Sequence, residues 1–184
     1  RYADENHNTS DLATFAAENS IKSANIDKET LDYIIVAHNF GEIEADSNNY
    51  IALPSVASLV KHKLGIENPN CVAYDLIFGC PGWVEGVIQS SAYIKSGMAK
   101  KCLVIGADTL SRTVDSNDRD SMIFADGAGA SIIEKSTENG CILSHKTVTY
   151  AGKEALYLFA DRSYNPESKS NVKHIKIARL RSIL

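Results

Sequence analysis

Three short apolar runs, LDYIIVA, CVAYDLIF and KKCLVIGAD, recur along the chain with a helix-like segment between each pair. Their β-branched, aliphatic and aromatic content predicts strands. The third is almost continuously apolar between a basic and an acidic end, which suits a strand covered on both faces. Between the first two lie a polar, acidic stretch, GEIEADSNNYIA, read as a loop, and then PSVASLVKHKLG. The latter reads as a helix with Pro54 in its first turn, Leu59 and Leu64 inward and Gly65 as its stop. Between the second and third runs, CPGWVEGVIQSSAYIKSG reads as a helix with Val84, Val87, Ile88 and Ala92 on one face and Gly97 closing it. Strand, helix, strand, helix, strand is the rhythm of a parallel, right-handed α/β sheet.

The flanks extend this frame. Asn8-Thr9-Ser10-Asp11 supplies N-cap residues for a helix over LATFAAENSIKSA, with Leu12, Phe15, Ala16 and Ile21 as its stripe. After Asp108 a polar loop, TLSRTVDSNDRDS, leads into two further β-like runs, GAGASIIEKS and GCILSHKTVTYA. Residues 161–171 read as loop, and the closing HIKIARLRSIL is apolar and basic with no turn signal. A chain of 184 residues is enough for one ordinary domain. A net charge of -4 gives no reason to expect nucleic acid or an anionic membrane as partner. No run reaches the roughly 20 apolar residues of a membrane span. The opening RYADENHNTS is polar and unlike a signal peptide, so the setting expected is cytoplasmic.

Four cysteines show neither a CxxC pair nor histidine spacing for zinc, so no metal is expected. Cys71, Cys102 and Cys141 lie in or beside strand-like runs and read as buried thiols of a reducing compartment. Cys80 differs. It stands between an apolar strand and an amphipathic helix, bracketed by Gly79 and Gly82, with Pro81 where the first helical N–H groups are unpaired anyway. A helix N-terminus favours thiolate over thiol, its free N–H groups can hold an oxyanion, and small neighbours admit a carbonyl. The alternative is one more small buried residue at a tight turn. Asp126-Gly127-Ala128-Gly129 lacks the lysine and the strand-to-helix setting of a phosphate loop; its glycines read as allowing close backbone packing beneath the site. Of the five histidines only His38, ending the first strand, is placed to reach a site, and each reads better as structural or solvated.

The succession D-x4-C-x-G, YIKSG, LVIGADTLSRTVDSNDRD and FADGAGASII, over residues 74–133, resembles the 3-oxoacyl-acyl-carrier-protein synthase III family, condensing enzymes with a thiolase fold. The resemblance implies a thiolase-like N-terminal half: a mixed, mainly parallel sheet with helices on both faces, over residues 1–172. Residues 173–184 are then an atypical tail, the start of a missing C-terminal half or out-of-family sequence. By position, Cys80 matches the acyl-accepting cysteine and Arg119 an arginine holding the coenzyme A nucleotide. Leu53 falls where the family often has a larger residue reaching across the dimer into the partner subunit's acyl pocket, and Phe124 matches a pocket-lining phenylalanine.

The implied reaction starts fatty-acid synthesis. A short-chain acyl-CoA acylates Cys80, and malonyl-acyl carrier protein is then condensed with loss of CO2. Coenzyme A thioesters enter as substrates, and no cofactor is implied. Family members complete the site with a His and an Asn that match nothing here. The competing reading is therefore a non-catalytic fragment or half-length subunit that keeps the fold and binds a partner chain. A homodimer is implied, with the LVIGAD strand pairing across the twofold axis. The helix from Pro81 to about Ser96 is expected to be buried, because it carries only Glu85 and Lys95 as charges.

Overall fold

The computed structural model describes residues 2–45, 50–136, 142–168 and 172–178. Helix α1 spans Thr9–Ala24 and opens on a capping box, in which the Asn8 side chain and Asp11 each take the other's backbone N–H. Strand β1 is Tyr33–His38, and a two-residue hairpin follows, β2 (Glu42–Ile43) with β3 (Tyr50–Ile51). Helix α2, Val56–Lys63, is capped by the Ser55 hydroxyl, which accepts the Ser58 N–H. Then come β4 (Val72–Ile77), α3 (Gly82–Ser96), β5 (Lys101–Thr109) and β6 (Asp126–Glu134). A last hairpin joins β7 (Leu158–Asp161) to β8 (His174–Ile177).

The main sheet has the order β4-β1-β5-β6. The three strands expected from the apolar runs are parallel, β4 to β1 and β1 to β5, and β6 returns antiparallel along the whole of β5. The sheet is therefore mixed and mainly parallel. Alternation divides it cleanly. Ile34, Val36, Leu103, Ile105 and Ala107 join α1 and α2 in one core with Ala13, Ala17, Val56 and Val60. Ile35, Ala37, Val104 and Gly106 face α3 on the other side. Cys71 and Cys102 are buried as expected; Cys141 lies outside the described residues.

Besides Pro54, which lies before the Ser55 cap of α2 and not in its first turn, four expectations of the fold need correction. The first concerns the faces of the helices. Helix α1 buries Ala13 and Ala17 while Phe15 is largely exposed, and α3 buries Gly82, Gly86, Ser90 and Ser91 while Trp83, Val84 and Ala92 stay exposed. The small residues face the sheet because only they let the helix axis approach it closely. The expected burial of α3 therefore holds for one face only: Trp83 lies over Gly106 of β5, while Val84 and Ala92 are exposed.

The second is the run GCILSHKTVTYA. Residues 142–150 form no strand, and Leu143, Val148 and Tyr150 are exposed. A β-like composition does not make a strand without a partner edge to bond to. Third, GEIEADSNNYIA is not wholly loop, since its ends pair as β2 and β3. Fourth, β5 cannot pair across a twofold axis. It is bonded to β1 on one side and β6 on the other, so the open edge on the parallel side of the sheet is β4.

Candidate active site

Each parallel strand delivers one polar residue to the same end of the sheet. Asn39 follows β1, Cys80 follows β4, and Asp108 sits near the end of β5. Ligands of open α/β sheets gather outside these carboxyl ends. After β4 the chain turns at Gly79, whose φ of +73° is one that side chains rarely adopt. The Gly82 N–H donates to the Gly79 carbonyl at 3.0 Å and closes the turn. A Cβ on Gly82 would stand 2.9 Å from the Ala37 Cβ, so the start of α3 lies directly against the end of β1. Cys80, on the crest of this turn, is exposed.

The thiol borders two depressions. On one side is a mostly apolar cavity of about 260 Å³. Its walls are Asn39 and Phe40 after β1, Leu110 after β5, Phe124 before β6, and Leu158, Phe159, Ala160 and Ile175 from the β7–β8 hairpin. On the other is a cleft of about 200 Å³ that includes Trp83, Asp108 and Gly127. Asp108 braces the Asn39 loop between them. Its carboxylate accepts the Asn39 backbone N–H at 3.0 Å and the Asn39 side-chain amide at 2.7 Å. Burial pushes the Asp108 carboxyl up, and the donors from Asn39 and Phe40 only partly offset this.

Of the residues singled out in the sequence, Phe124 lies beside Cys80 in the apolar cavity. Arg119 is on a short 3-10 turn, 82% exposed, with Asp120 at 3.7 Å as its ion-pair partner. Leu53 is 84% exposed just before α2 and lines neither depression at Cys80. His38 is buried, with Nε2 2.9 Å from an Asp75 oxygen, and it too lines neither. Burial alone would raise Asp75. His38 and the Val56 and Ala57 amides at the start of α2 outweigh that and hold its carboxyl low. The glycines of β6 do not serve close packing: a Cβ at Gly127 or Gly129 would meet nothing within 4 Å.

Asn39, Asp108 and the β7–β8 wall were not singled out in the sequence. The signal for the first two was their place at the ends of parallel strands; the hairpin left none. Among the described residues no group of His, Cys, Asp and Glu could hold a metal ion, and no helix is long and apolar enough to cross a membrane.

An exposed thiol at a strand-to-helix turn, beside an apolar cavity, is suited to carrying an acyl group as a thioester. Residues 74–151 match the family of 3-oxoacyl-[acyl-carrier-protein (ACP)] synthase III. The beta-ketoacyl-[acyl-carrier-protein] synthase III 1 of Vibrio parahaemolyticus is 44% identical over 146 residues, 79% of this chain and 43% of that protein. The synthase III of Neisseria meningitidis is 44% identical over 143 residues, 77% of this chain and 42% of that protein. The crystal structure of 3-oxoacyl-[acyl-carrier-protein] synthase III from Aquifex aeolicus superposes with a TM-score of 0.79 at 32% identity. That match takes in 96% of this chain and 51% of that one. The chain thus spans about half the length, or less, of the proteins it matches. The fold is the thiolase-like α/β architecture expected from the sequence.

Proposed function

We propose, from the premise that this chain carries the N-terminal part of a 3-oxoacyl-[acyl-carrier-protein] synthase III, that Cys80 is the acyl-accepting nucleophile of a condensing enzyme of fatty-acid synthesis. The carrying observation is the exposed Cys80 thiol at the mouth of the apolar cavity that Phe124 helps to line. In this reading the Cys80 thiolate attacks the carbonyl of a short-chain acyl-CoA. The bond from carbonyl carbon to coenzyme A sulfur breaks, and coenzyme A leaves as its thiol after taking up a proton. A malonyl thioester on acyl carrier protein then loses CO2. The resulting carbanion attacks the acyl-Cys80 carbonyl, forms the carbon–carbon bond and releases the Cys80 thiolate. Splitting the transfer into two steps is what a covalent nucleophile contributes. Arg119 holds the coenzyme A nucleotide, and the setting is cytoplasmic. The His and Asn that assist decarboxylation are assigned to no residue of this chain.

Intact-protein mass after incubation with acetyl-CoA tests the first step. One acetyl adduct is expected, retained through desalting and absent in Cys80→Ser. Acylation that persists in Cys80→Ser would show that another residue is the nucleophile.

Assembly as a homodimer belongs to the same reading, moved from β5 to the open edge of β4. Val72 and Ile77 on that strand are exposed apolar residues. An uncapped apolar edge invites a second strand. Leu53, exposed beside α2, then reaches the partner's acyl cavity. Light scattering after size exclusion should give twice the chain mass for the wild type and one chain mass for Val72→Lys/Ile77→Lys. A double variant that stays dimeric would place the contact elsewhere.

A further inference from the structure

The β7–β8 hairpin supplies half of the cavity wall beside Cys80, through Leu158, Phe159 and Ala160 on β7 and Ile175 on β8. Yet it is a separate two-stranded sheet, bonded to no strand of the main sheet, and β7 is exposed throughout. A lone hairpin is marginal in water. What fastens this one is concentrated on β8. The Ile175 N–H donates to the Thr113 carbonyl at 2.9 Å, and His174 Nδ1 lies 3.1 Å from the Val114 carbonyl. Between them and the loop lies Lys176, 1% exposed. Its Nζ is 2.5 Å from Asp115 Oδ2, 3.8 Å from Asp118 Oδ2 and 3.6 Å from the Tyr164 ring centroid. Both aspartates are buried too. Asp115 also accepts the Tyr164 N–H at 2.7 Å and the Ser163 hydroxyl at 3.0 Å, so it grips the loop between β7 and β8 as well as β8 itself.

A cation in a sealed site with two carboxylates is strongly fixed in place, because any displacement leaves buried charge without a partner. Lys176 and Ile175 are neighbours on one strand, so fixing the first fixes the wall formed by the second. We propose that Lys176, through Asp115, is a positioning residue. It holds the β7–β8 hairpin closed against the 113–118 loop and thereby limits the length of acyl chain that Cys80 accepts. This inference rests on the acyl-transfer reading for its substrate, though not for the pin itself.

Lys176→Met tests it with two independent readouts. By hydrogen exchange, peptides covering residues 158–161 and 174–177 are expected to lose protection at least tenfold, while β5 keeps its own. By intact mass, the ratio of Cys80 acylation rates with octanoyl-CoA and acetyl-CoA is expected to rise at least fivefold. The iodoacetamide rate at Cys80 should stay within about twofold, separating a moved wall from a damaged turn. Asp115→Asn keeps a carbonyl acceptor at position 115 and leaves Asp118 near Lys176. It should shift both readouts in the same direction but less, and it serves if Lys176→Met does not fold. Unchanged hairpin protection in both variants overturns the pin. A released hairpin with an unchanged octanoyl-to-acetyl ratio overturns its role in chain length. If the wild type takes no acyl group from either thioester, the acyl-transfer reading fails and the chain-length role with it, while the exchange result still decides the pin.

Discussion

Iodoacetamide near neutral pH is expected to consume Cys80 at least 100 times faster than Cys102. Two differences multiply. The first is access: Cys80 is exposed on the turn before α3, whereas Cys102 lies on β5 with none of its surface in water. The second is thiolate supply at the buried site. Burial is the main cause pushing the Cys102 thiol up to about 11, and the Asp32 carboxylate adds to it. Only the thiolate is nucleophilic, and each pKa unit above the ordinary range of about 8.5–9 removes it tenfold at neutral pH. Cys71 is also buried, and its thiol is raised by the same burial, so it belongs with Cys102. Labelling quantified by peptide mass spectrometry reads all of these at once. Comparable rates at Cys71, Cys80 and Cys102 would mean that the sheet does not shelter the strand thiols, and the description of Cys80 as the one accessible nucleophile among them would fall.

The parts of this molecule visible in the sequence are those with a local cause. Tyr33–His38 and Lys101–Thr109 announce themselves because a strand covered on both faces must be apolar at nearly every position, while the edge strand Val72–Ile77, only partly covered, shows itself by its aliphatic and aromatic content. Helix α1 begins where Asn8 and Asp11 satisfy its free N–H groups, and Gly97 ends α3 in the left-handed conformation. Cys80 was legible for the same reason, since Gly79, Pro81 and Gly82 punctuate the chain around it. Helix faces were misread because a hydrophobic stripe is found by its largest side chains. Close packing of helix on sheet selects the smallest, such as Ala13, Gly86 and Ser90.

The cavity was illegible for another reason. Phe40, Leu110, Phe124 and Phe159 are far apart in the chain, and no spacing rule links them. Lys176 shows the limit most clearly. HIKI reads only as apolar and basic, yet it forms β8 with Ile175 and Lys176 both buried. Only the two aspartates some 60 residues earlier explain why a cation can sit there.

Gly86→Val is expected to lower stability by about 2–3 kcal/mol and to disturb the Cys80 turn with it. Gly86 lies on the face of α3 against the sheet, where an added Cβ would stand 2.8 Å from Val104 Cγ1 and 3.5 Å from Ile35 Cγ2. Both neighbours are fully buried on the two central strands β5 and β1, so neither can swing aside. Alanine would already need a shift of several tenths of an ångström, partly offset by its better helix propensity, about 1 kcal/mol over glycine. Valine adds two more methyl groups to the same gap. Overpacking of this kind costs about 1–3 kcal/mol, a large share of the roughly 5–15 kcal/mol that holds a domain together. The helix can make room only by lifting from the sheet. Its first turn sits against Ala37 and follows directly from Cys80, so the thiol moves relative to the apolar cavity. Ala92→Val is the matched control, because Ala92 is exposed on the same helix. There the added methyls meet no sheet, and only the propensity cost, under about 1 kcal/mol, remains. Urea unfolding of the two variants beside the wild type decides the matter. Equal midpoints for Gly86→Val and Ala92→Val would mean that α3 does not lie on β1 and β5 through its glycine face.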